Sequence, residues 1–66
     1  MNLNKLKGKL RECDTTYAKC ANAIGISVAS FNLKINGKSK FYIEELEQLG
    51  DFLEMSKDER ADIFLG

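Results

Sequence analysis

Two amphipathic runs separated by only three residues place the tightest constraint on this chain. In the first, Tyr17, Cys20, Ala21 and Ile24 recur at the i, i+3, i+4, i+7 spacing of one helix face. The second run begins at Val28 and ends near Ile35. Gly25-Ile26-Ser27 stands between them. Gly25 holds the place of a left-handed C-cap residue, Ser27 is positioned to cap the next helix, and Asn36-Gly37 closes it. So short a connection forces a sharp corner between two consecutive helices.

The rest of the chain keeps the helical period. Leu3, Leu6 and Leu10, with lysines between them, predict a first helix from about Asn2 to Glu12, apolar on one side and basic on the other. Gly8 inside it costs about 1 kcal/mol relative to alanine, which either close helix packing or close approach to a ligand would explain. Asp14-Thr15-Thr16 is a cluster of N-cap residues for the second helix, of about eight residues. After a basic loop, Lys38-Ser39-Lys40, a fourth helix carries Ile43, Leu46, Leu49, Gly50 and Leu53, with Glu44, Glu45, Glu47, Asp51 and Glu54 on its outer face. Ser56-Lys57-Asp58-Glu59 matches a capping box and opens a short fifth helix to about Asp62, before an apolar tip, Ile63-Phe64-Leu65. With no proline, the expected fold is all-α, a compact bundle of five short helices forming one domain over residues 1–66. A core this small needs efficient helix packing or a partner subunit.

Composition narrows the functional classes. Apolar residues make up 44% of the chain, too many for a disordered tail. The first twelve residues contain no uninterrupted apolar stretch, so neither a signal peptide nor a membrane span is expected there. Cys13 and Cys20 lie outside any CxxC, and without histidine a zinc site would need carboxylates, so no metal or other cofactor is expected. Both read as ordinary thiols of a cytoplasmic protein, Cys20 as a small core residue. No nucleophile and base pair up, which argues against an enzyme. The net charge of zero conceals an asymmetry: residues 1–40 hold eight bases against two acids, and residues 41–66 two bases against eight acids. Such a dipole suits a protein with one face toward a polyanion, although lopsided solvated faces are also common in small helical proteins.

The segment Thr16–Gly37, TYAKCANAIGISVASFNLKING, resembles the helix-turn-helix of the phage repressor and Cro family. The matching features are the capping Thr16, the small Ala21, the Gly25-Ile26-Ser27 turn, Phe31 and the closing Asn36-Gly37-Lys38. The resemblance extends through the fourth helix, over roughly residues 2–55, and is closest to short phage and prophage regulators with Lys34, Asn36-Gly37-Lys38 and Phe41. It implies a DNA-binding transcriptional regulator, in the cytoplasm of a bacterial host, with no small-molecule ligand and no room for an inducer or cleavage domain. Three departures stand out. Tyr17 replaces a glutamine that braces the DNA backbone, Tyr42 replaces a Thr or Ser cap, and Lys34 stands where relatives bury an aliphatic residue. The last leaves Ile35 to take the core role, with the third helix rotated or cut short.

The resemblance lays the third helix, about Ser27–Ile35, in the major groove with Val28, Ala29, Asn32 and Leu33 toward the bases. Asn32 can bond bidentately to adenine, and the three apolar residues can meet thymine methyls, which predicts an A·T-leaning site. Val28 and Leu33 could instead serve helix packing. Phosphate contacts are expected from Thr16, Tyr17, Ser27, Ser30, Asn36, Lys38 and Lys40, with Lys5, Lys9 and Lys19 as weaker candidates. Tyr17 reads equally as core.

One such domain makes few contacts, so a homodimer on a palindromic duplex is expected. Phe52, Met55, Ile63, Phe64 and Leu65 form the candidate dimer surface, unless the C-terminal tip folds back to complete the core. The alternative function is a helical protein-interaction module that does not bind DNA and works through its acidic C-terminal half.

Overall fold

Every helix of this chain starts where a side chain satisfies an otherwise free backbone N–H. The computed structural model describes all residues, Met1–Gly66, and contains α1 (Leu3–Glu12), α2 (Tyr17–Ala23), α3 (Val28–Ile35), α4 (Ile43–Phe52) and α5 (Lys57–Phe64), with no strand. Asn2, Thr16, Ser27 and Ser56 each accept from the N–H three residues on. Tyr42 has no such oxygen within reach, and α4 relies on the reciprocal half of a capping box: the Tyr42 N–H donates to Glu45 Oε1 at 2.9 Å.

The first four helices end in one repeated device. Asp14 (φ 53°), Gly25 (74°), Gly37 (77°) and Glu54 (53°) occupy the left-handed region just past the cap. Each makes the paired bonds of a Schellman turn, as in Asp14 N–H to the Arg11 carbonyl and Thr15 N–H to that of Leu10. Asp14 therefore terminates α1 and does not join the cap of α2, which is Thr16 alone.

The core comprises Leu6, Leu10, Cys20, Ala21, Ile24, Phe31, Ile35, Leu49, Leu53, Met55 and Ile63. Phe31 is fully buried, with the Tyr17 ring 5.4 Å away and the Phe41 ring 5.8 Å away edge-on, both favourable aromatic arrangements. Around it α2 packs on α3 and α4, and α1 on α3 and α5. Gly50 is buried, and a Cβ there would come within 2.9 Å of the Arg60 guanidinium. At Gly8 nothing lies within 4 Å of where a Cβ would be, so helix packing does not require that glycine.

The expectations for α5 and α3 need correction. α5 runs two residues past Asp62 and turns Ile63 into the core, where its carbonyl accepts from the Asn2 N–H at 2.8 Å. Met55 is buried as well. The C-terminal tip thus folds back on α1, and Met55 and Ile63 are not available as a dimer surface. Nor is α3 cut short. It runs through Ile35, and both Ile35 and Lys34 are buried. No helix is long and apolar enough to cross a membrane.

Candidate nucleic-acid interface

The 3.6-residue period gives α3 two distinct faces. Phe31, Lys34 and Ile35 point inward, while Val28, Ala29, Asn32 and Leu33 lie on the solvent side. Val28 is 48% and Leu33 50% exposed, so neither is committed to packing within the chain. Ala29, Asn32, Leu33, Asn36 and Lys38 line one open groove along this helix.

The polar groups on this face are already organised. Asn36 Nδ2 donates to the Asn32 carbonyl at 2.9 Å and to Asn32 Oδ1 at 2.7 Å, while Lys7 Nζ donates to Asn36 Oδ1 at 3.1 Å. The Asn32 amide is thereby held in place, with its own Nδ2 hydrogens uncommitted. Ser27 Oγ accepts from the Ser30 N–H and donates to Ser30 Oγ, both at 3.0 Å, which leaves the Ser30 hydroxyl hydrogen to an outside acceptor. Thr16 Oγ1 accepts from the Lys19 N–H, so its hydroxyl hydrogen is also free. Lys38 and Lys40 are exposed and unpaired in the loop after α3. Tyr17 is half-buried with its ring against Phe31; the ring serves the core, and only the hydroxyl remains to meet a phosphate.

The charge asymmetry of the sequence is partly cancelled in three dimensions. Lys5 pairs with Asp62 at 2.8 Å, Lys9 with Glu59 at 2.7 Å and Lys34 with Glu45 at 2.6 Å. Lys5 and Lys9 are therefore not free cations. The hydrogen bond to Glu59 raises the Lys9 ammonium above its ordinary value, and the same bond holds the Glu59 carboxyl low. Burial pushes the Glu45 carboxyl up, but the bonds from Lys34 and the Tyr42 N–H outweigh it and set it below the usual value. Lys34 is one of the residues that sequence reasoning misplaced. The available signal was a lysine on the inward stripe of α3 with an acidic helix following.

No group of three or more Cys, Asp or Glu side chains converges as metal ligands would. Cys20 is buried, which raises its thiol, whereas Cys13 is exposed. Of the expected dimer residues, Phe52 is 42% and Leu65 83% exposed, and Phe64 is half-buried. Ile43, expected on the inner stripe of α4, is instead 71% exposed. Compared with known proteins, the chain matches no family model, no curated protein and no solved structure.

Proposed function

We propose that the protein is a sequence-specific regulator of transcription that binds double-stranded DNA in the manner of the phage repressors and Cro, with α2 and α3 as its helix-turn-helix. The observation that carries this reading is the two-sidedness of α3: a core-anchored inner face beneath an outer face of Val28, Ala29, Asn32 and Leu33 left open to solvent. In the major groove Asn32 would pair with adenine N6 and N7, and the apolar residues would meet thymine methyls. Ser30, Thr16, Lys38 and Lys40, with the first N–H groups of α3 above Ser27, would hold the phosphates, and Asn36 would brace Asn32. A homodimer on an A·T-leaning palindrome follows from the few contacts that one domain of this size presents.

A second reading has a specific observation in its favour. Three of the bases in residues 1–40 are neutralised by acids of the same chain, which weakens the attraction for a polyanion and favours a protein-interaction module.

Binding to a mixed pool of short duplexes at two salt concentrations separates the two. The DNA reading expects affinity that falls steeply with salt and enrichment of A·T-containing half-sites about one helical turn apart. Absence of binding at low salt would replace it with the interaction module.

A further inference from the structure

A pocket of about 340 Å³ opens where the start of α1, the end of α3 with the loop after it, α4 and the end of α5 meet. Leu3, Phe41, Leu46 and Phe64 give it apolar walls, and Lys34 and Lys40 reach it with no acidic residue on its lining. We infer that this pocket binds a small apolar monocarboxylate, the anion of an acid with a short hydrocarbon or aryl tail. No such ligand is implied by the family resemblance. The site stands without the DNA reading, and only its effect on DNA rests on that reading.

Shape and charge select this class. The volume lies at the lower end of the range of ligand sites, about 300–1,000 Å³, so the occupant is small. Lys34 is 7% exposed, and its ammonium gives one hydrogen to Glu45 at 2.6 Å. Other hydrogens of that ammonium remain for a second acceptor. Glu45 neutralises Lys34, whereas Lys40, at the exposed mouth, has no ion-pair partner. The Met1 ammonium is taken up by the Gly66 carbonyl at 2.9 Å. Among the lining side chains and Glu45, a single positive charge is thus left over. One carboxylate answers it, and a tail answers the apolar walls. A phosphate dianion would exceed the charge and leave the walls wet, and a neutral tail would leave Lys40 unanswered.

The pocket is built into the fold. Gly37, at φ 77°, brings the loop so close to α1 that a Cβ there would lie 3.2 Å from Leu3 Cδ1. A preformed wall spares the ligand the cost of ordering it. The pocket shares no residue with the groove on the outer face of α3. Lys40, however, belongs to both the pocket and the proposed phosphate contacts. A bound carboxylate would therefore withdraw one cation from DNA and leave the reading face untouched, lowering affinity for all sequences and the salt slope by about one.

Titration of the intact protein with octanoate, below its micelle concentration and without DNA, reads the site through calorimetry and backbone amide shifts. Binding should saturate at one per chain and move Leu3, Gly37, Lys40 and Phe64. Affinity should rise about threefold per methylene from butanoate until the pocket is full, then level off. Octanol should bind roughly tenfold more weakly than octanoate. Lys40→Gln, at an exposed position, should weaken octanoate about threefold. Lys34→Met combined with Glu45→Gln, which keeps the slot filled but removes the inner donor, should weaken it roughly tenfold. Absence of saturable binding overturns the inference, as does octanol or inorganic phosphate binding as tightly as octanoate. Shifts confined to Ile43 and Leu65, between α4 and α5, would also overturn it. Duplex binding with and without saturating octanoate keeps the two readings apart. A chain that binds octanoate but no duplex supports the pocket and removes only its effect on DNA. A chain that binds duplex but not octanoate removes only the pocket.

Discussion

Lys34 Nζ lies 2.6 Å from Glu45 Oε1, in a pair whose side chains are only 8% and 12% exposed. The same oxygen accepts from the Tyr42 N–H, and the Tyr42 ring lies 4.6 Å from the ammonium. One carboxylate therefore ties the end of α3 to the start of α4. A buried pair is costly to break from one side, because the remaining charge has lost its counter-charge and cannot recover its water. Glu45→Gln keeps the cap on Tyr42 and strands the ammonium, and should cost about 3 kcal/mol. Adding Lys34→Met fills the same slot with an apolar chain and should recover most of that loss. Urea denaturation of the wild type, the two single variants and the double variant gives the cycle. A double variant as unstable as Glu45→Gln would show that the pair does not secure α3.

The depressed carboxyls make stability fall in acid. Glu45 and Glu59 both titrate lower in the folded chain than their ordinary value of 4.5. The unfolded chain thus takes up protons first, so their contribution is complete above that value and is lost as the pH drops through each folded pKa. Lys9 has the opposite sign: its raised pKa contributes stability that is complete below 10.5 and lost as the pH climbs through the folded value. Thermal unfolding followed from about pH 7 down to about pH 2 should show a falling midpoint, with a shallower fall in Glu59→Gln. An identical acid limb in that variant would remove the Lys9–Glu59 bond as a cause.

Most of the architecture was legible because periodicity and caps act locally. Ser27, Gly25 and Gly37 marked both ends of α3 and the end of α2 at the positions observed. What escaped was set partly by local backbone and rotamer choices and partly by contacts distant in sequence. Asp14 and Glu54 adopt the left-handed turn that glycine advertises elsewhere; aspartate signals it only weakly and glutamate not at all. Ile63 reads as an exposed tip until α1 is placed beside it, and Lys34 reads as a surface base until Glu45, eleven residues on, is brought against it. The outward face of α3 was foreseen from the resemblance, while the Asn36 brace depends on rotamers that no spacing encodes.

Glu54 offers a direct check on the helix ends. Its φ of 53° places a Cβ near the following carbonyl, a conformation that costs an L-residue about 1 kcal/mol. Its side chain makes no ion pair and is exposed, so little is lost by removing it. Glycine relieves the strain but gives the unfolded chain more freedom, so Glu54→Gly should gain about 0.5 kcal/mol, seen as a rise of about 3 °C in Tm. Glu54→Ala keeps the Cβ and should not gain. Destabilisation by glycine would mean that the acid contributes something here beyond its backbone.

Asn36 separates the organisation of the α3 face from its charge. Its amide fixes Asn32 through two hydrogen bonds and is itself held by Lys7. If Asn32 reads adenine as proposed, its amide, already oriented, loses less freedom on binding than an unbraced one would. Asn36→Ala leaves Asn32 present but unbraced, and should lower discrimination for A·T sites by about 1 kcal/mol, with a smaller effect on binding to arbitrary duplexes. Lys38→Ala should do the reverse, weakening all sequences alike and reducing the salt slope by about one. Competition binding against A·T-rich and G·C-rich duplexes at several salt concentrations distinguishes the two. Equal losses on both duplexes in Asn36→Ala would reduce that residue to a phosphate contact, and unchanged binding in both variants would move the interface off α3.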